Sequence, residues 1–127
     1  MSANNPPLDQ RLQFLKHKGR VIYSIDFSNC SAKDMLLLLD QIRLDITSQE
    51  RNSLLVLANF AGAGVDKNVA TRMKEILVLD RPFVKKSAWV GVDSVPHVFY
   101  EHFKNFSRRD FPVFDRREDA LEWLVQE

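Results

Sequence analysis

The sequence predicts an α/β domain: a mostly parallel five-stranded sheet with an N-terminal antiparallel hairpin and about four helices, in the order ββαβαβαβα. Three observations predict it. Two short strand-like runs flank a glycine, as a hairpin requires. Short apolar runs then alternate with stretches whose apolar residues recur at helical spacing. The connections between them are short, so the crossovers are right-handed and the later strands parallel.

Each element has its own signal. Leu12 to Lys16 and Arg20 to Ile25 surround His17-Lys18-Gly19, with Gly19 at a position needing positive φ. Ser31 is an N-cap with Asp34 three residues on, and Met35, Leu38, Leu39, Ile42 and Ile46 make one buried helical stripe. Leu54 to Ala58 is too apolar to alternate, as expected of a strand covered on both faces. Asp66 caps the next helix, which carries Val69, Met73, Ile76, Leu77 and Asp80 in line and ends at Pro82. Ser87 to Val92 is the next strand. Ser94, with Pro96 just inside, opens a third helix whose Val95, Phe99, Phe103 and Phe106 share a face. Phe111 to Phe114 is a short last strand, and Asp115 with Glu118 starts a final helix bearing Leu121, Leu124 and Val125.

Composition narrows the function classes. The chain has 127 residues, 18 Lys+Arg and 17 Asp+Glu, for a formal charge of +1. That length suits one domain, residues 11–127, able to remove about two-thirds of its unfolded surface from water. The near-zero charge gives no long-range attraction for nucleic acid. Residues 1–10 are polar, contain Pro6 and Pro7, and lack the apolar core of a secretory signal, so they read as a disordered leader. The longest aliphatic run, Met35 to Leu39, is far short of the roughly 20 residues that span a bilayer. One cysteine, Cys30, cannot form an internal disulfide, which suits a reducing cytoplasm.

Function is expected at the loop Asn59-Phe60-Ala61-Gly62-Ala63-Gly64 and the helix start at Asp66 and Lys67, because ligands of open α/β sheets sit outside the carboxyl ends of the strands. Phe60 has two readings: an exposed anchor for a partner, or a ring folded back over the sheet. The helix entrance offers free N–H groups to an anion, although Asp66 would repel it. No P-loop or dinucleotide fingerprint follows the glycines.

Asp26, Asn59, Asp93 and Asp115 all fall at strand carboxyl ends. Capping accounts for Asp115 as it does for Asp66, and Asp26 and Asp93 are the least explained rim groups. His97 and His102 are five apart, about 140° around a helix, which prevents a shared metal. No nucleophile motif occurs, so no catalytic residue, metal or cofactor is expected. Arg108, Arg109, Arg116 and Arg117 are balanced by Asp110, Asp115, Glu118 and Asp119. Arg81, Lys85 and Lys86, with Arg72 and Lys74 upstream, form a basic group that reads as a solvated face or as a meeting place for an acidic partner or phospholipid head group.

The stretch His17 to Ser28, the strand and loop Leu55 to Gly62, Arg81-Pro82-Phe83-Val84-Lys85-Lys86 with Ala88 to Gly91, and Phe114-Asp115 followed by Asp119 to Leu124 resemble, in that order, the SpoIIAA-like bacterial branch of the STAS superfamily. The resemblance implies a STAS-like fold, related to CRAL-TRIO lipid-transfer domains, and a regulatory, non-catalytic protein-interaction module. In the anti-sigma-factor antagonists the loop after the central strand reads Asp-Ser-Ser/Thr-Gly, and its serine accepts a phosphate. The matching residues are Asn59, Phe60, Ala61 and Gly62. With no hydroxyl there, a phosphate charge of about −1.5 to −2 cannot be added, and Thr71 lies more than a turn into the helix. The module is therefore expected to be constitutive or ligand-gated. The alternative is a small-ligand carrier in which the helices, led by Phe99, Phe103 and Phe106, part from the sheet to admit a lipid or similar molecule. The expected partner is a protein, with a small anion or lipid as the other candidates, and a homodimer stays open.

Overall fold

The computed structural model describes residues 6–107 and 112–126, without the side chains of Phe106 and Ser107. The expected Phe106 contact, the Phe111 strand start and the charges of Arg108, Arg109 and Asp110 lie outside the described residues.

β1 (Leu12–His17) and β2 (Arg20–Asp26) form the antiparallel hairpin. Its turn places Lys18 at φ 50° and Gly19 at φ 79°, the left-handed pair that matches strand twist in a two-residue hairpin. Then follow α1 (Ala32–Thr47), β3 (Leu54–Asn59), α2 (Lys67–Asp80), β4 (Val84–Val90), α3 (His97–Ser107), β5 (Val113–Phe114) and α4 (Arg117–Val125). β2 to β5 pair in parallel.

Strands lie in the sheet in chain order, β1-β2-β3-β4-β5. With right-handed crossovers, a sheet that advances in one direction puts every crossover helix on the same face. α1, α2 and α3 accordingly pack side by side there, over an apolar core that includes Tyr23, Val56, Phe60, Met73 and Trp89. Among the described helices only α4, which follows the last strand, reaches the other face. It covers β3, β4 and β5 with Ala120, Leu121 and Leu124, against Ile22, Leu55, Leu57, Ala88 and Val90.

Two predicted caps are present. Ser31 Oγ accepts the Asp34 N–H at 3.2 Å and Asp66 Oδ1 the Val69 N–H at 2.9 Å. Several boundaries differ from the sequence reading. β4 starts at Val84 rather than Ser87, with Lys86 donating to the Trp123 and Gln126 carbonyls at the end of α4, and it ends at Val90, before Gly91 turns to φ 71°. Ser94 does not cap α3: Val92–Ser94 is a 3₁₀ turn, and the Pro96 carbonyl accepts the first helical bonds from Phe99 and Tyr100. α4 has no capping box, since its N-cap is Arg116 and no side chain bonds there. Within the expected leader, Leu8–Gln10 is a 3₁₀ turn, and Arg11 Nε donates to the Pro6 carbonyl.

Candidate functional site

Where β2, β3 and β4 end, their connections are tied together. The Phe27 N–H donates to the Asn59 carbonyl at 2.8 Å and the Phe60 N–H to the Val90 carbonyl at 2.9 Å, extending the pairing past the strands. Asn59 Oδ1 then accepts the Ala61 N–H and starts the turn. The Ala61 carbonyl accepts from Asn29, the Gly64 N–H donates to Cys30, and the Gly62 N–H donates to Ser94 Oγ at 2.7 Å. Three connections thus share one hydrogen-bonded rim, which no single stretch of sequence could reveal. Gly91 belongs to it for a steric reason: its φ is +71°, and a Cβ there would lie 2.6 Å from the Ala61 nitrogen, closer than backbone atoms tolerate.

The rim sorts the predicted site residues. Phe60 takes the buried alternative: it is fully enclosed between Phe27 and Trp89, with ring centroids 5.2 and 4.6 Å away. It supports the loop from beneath and cannot anchor a partner. Ala63 is also buried. Ala61, Gly62, Gly64, Asp66 and Lys67 are exposed, and Asn59 is half-buried. Asp26 lies beside Asn59 in register, and its Oδ1 accepts the Ser28 N–H at 2.9 Å. Asp93 does not join them; it is exposed in the Val92–Ser94 turn.

A recess of about 260 Å³ opens on the α4 face of the sheet at this rim. Period-2 alternation and register account for its walls. Gln13 pairs with Ser24, and Asp26 with Asn59, so their side chains form a polar band across β1, β2 and β3. α4 lies over β3 to β5 and leaves this band uncovered, while Arg117, its first residue, flanks it. Arg11 also lines it. Sequence reading found Asp26 and Asn59 but missed Arg11, Gln13, Ser24 and Arg117. The available signal was the polar i, i+2 spacing of residues 11 and 13 and of 24 and 26.

Arg11 is the unusual member. It is 5 % exposed, yet its Nη1 donates to the carbonyls of Asp26 at 3.0 Å and Ser28 at 2.8 Å and its Nε to Pro6, with no carboxylate in ion-pair range among the described residues. A permanent charge is held in place there by carbonyl dipoles.

Other candidates are committed elsewhere. Arg72 bonds Asp40 and Glu75 and stands apart from the basic group, while Arg81, Lys85 and Lys86 line one open recess in which Lys86 also bonds α4 and lies over the Trp123 ring. Burial pushes the Cys30 thiol up, away from the thiolate a nucleophile requires. Among the described residues no cluster of His, Cys, Asp and Glu could hold a metal ion, and no helix is long and apolar enough to cross a membrane. Between α1, α2 and the sheet lies an apolar cavity of about 40 Å³, room for no more than a few water molecules.

No family model matches the chain, and no curated protein is similar enough to be matched. Among solved structures it is similar to an uncharacterized protein of the DUF3478 family with a SpoIIAA-like fold, from Shewanella loihica PV-4. The TM-score is 0.66 at 13% sequence identity, over 90% of this chain and 92% of that one. The fold is therefore SpoIIAA-like, as the sequence resemblance implied.

Proposed function

We propose that this domain is a non-catalytic interaction module that docks a protein partner on the rim formed by residues 59–67. One observation carries the reading. The exposed backbone of Ala61, Gly62 and Gly64 stands on a rigid base of Phe60 and Trp89 and is tied to two neighbouring connections. A preorganised surface loses little conformational entropy on binding, and small residues let a partner approach the backbone closely. Because Asn59, Phe60, Ala61 and Gly62 carry no hydroxyl, the module works without phosphorylation of that loop.

Purification from its own cells followed by native mass spectrometry and hydrogen exchange tests the reading. The expected result is a stoichiometric second polypeptide whose presence protects residues 59–67, and which Lys67→Glu releases without changing the melting temperature. Protection confined to the exposed Leu37 and Leu44 side of α1, with residues 59–67 unaffected, would overturn it.

A further inference from the structure

We infer that the recess on the α4 face is a binding site for the oxyanion of a small polar molecule, a carboxylate or a phosphate group, held between Arg11 and Arg117. The inference goes beyond the partner-docking reading and does not rest on it.

Convergence is the first support. Arg11, Gln13, Ser24, Asp26, Asn59 and Arg117 come from β1 and the residue before it, from β2, from β3 and from α4, and meet in a recess of about 260 Å³. Leu57 and Val90 give it an apolar floor. Its place follows from topology. A sheet whose strands run in chain order has no point where the order reverses, so it lacks the crevice in which doubly wound sheets bind ligands. The uncovered end of the α4 face offers a polar concavity of another kind.

Charge chooses the ligand. Two guanidinium groups face one carboxylate, and Asp26 already spends one of its oxygens on the Ser28 N–H. Burying a cation without a counterion carries a large desolvation cost, and carbonyl dipoles offset only part of it. Arg11 is held that way, and its Nη2 group takes no acceptor among the described residues. Guanidinium matches carboxylate and phosphate oxygens in a planar fork. Arg117 is the first residue of α4, a helix tied to the hairpin by Lys18 on Glu122 at 2.6 Å and to β4 by Lys86 on its terminal carbonyls. Gln13, Ser24 and Asn59 supply neutral donors and acceptors for the rest of the molecule. Asn59 also accepts the Ala61 N–H, so a ligand bonded to Asn59 would lie one hydrogen bond from the exposed loop.

Amide-resolved NMR titration of the full chain tests this, with inorganic phosphate and malonate as separate probes. At least one probe should shift the amides of Arg11, Gln13, Ser24, Asn59, Ala61 and Arg117 in a saturable way, and the probe that does so identifies which oxyanion the recess prefers. Arg117→Ala, an exposed position on a helix, should weaken that probe about tenfold with the melting temperature unchanged. Asp26→Asn keeps the acceptor for Ser28, removes the opposing charge and should tighten it severalfold. Shifts that lie elsewhere, no shift from either probe up to on the order of tens of millimolar, or an affinity indifferent to both substitutions would overturn the inference.

Discussion

The two faces of the sheet are built differently. Three helices cover one face and bury large rings, with Tyr23, Phe27, Phe60 and Phe103 among its most enclosed side chains. The other has one helix of nine residues and a core of aliphatic side chains and alanines, then gives way to a polar band. The difference teaches where this fold can afford function. The first face supplies stability and leaves a cavity of only about 40 Å³, too small for an acyl chain unless the helices separate. The second is half open, and polar groups can collect there at small cost to the core.

The largest effect that would test the contrast is Phe60→Ala. Removing a fully enclosed ring between Phe27 and Trp89 should cost about 3–5 kcal/mol, read from the urea midpoint. A cost below about 1 kcal/mol would mean the three-helix face is not the stabilising one.

On the other face, Leu124→Ala should cost about 2–4 kcal/mol, and hydrogen exchange should show α4 opening locally while β2, β3 and β4 stay protected. Equal loss of protection on both faces would show the sheet to be one indivisible unit and break the comparison.

The smallest effect belongs to Tyr23, whose hydroxyl donates to Asp45 at 2.6 Å. Burial first, then this bond and the nearby Asp45 and Asp80 charges, push its phenol well above the ordinary range. A folded pKa above the unfolded value of about 10 gives stability present in full below that pH and lost as pH rises past it. Tyr23→Phe should therefore cost about 1 kcal/mol at pH 7. It should also flatten the alkaline decline in the midpoint, and an unchanged decline would assign that loss to other groups.

Much of this architecture is legible in the residues. Apolar periodicity locates α1 and α2, Ser31 and Asp66 mark their starts, and Gly19 marks the hairpin. The errors arise where distant contacts override local signals. Lys85 and Lys86 look like loop, but a strand can carry Lys86 because α4 supplies its acceptors. Ser94 looks like a cap, but its hydroxyl accepts from Gly62 across the rim. Asp26 and Asn59 were readable as rim groups from strand ends alone. Arg11 was not, since an isolated arginine before a strand is ordinarily a surface residue and its burial depends on carbonyls from a different connection.

The strand order has a further consequence. Every strand pairs only with the strands that precede and follow it along the chain, so each pairing closes the shortest loop the connection allows. A chain leaving the ribosome amino end first can complete the hairpin and then add one strand and its helix at a time. Synthesis never has to hold an edge open for a strand that has yet to be made and must insert between two others.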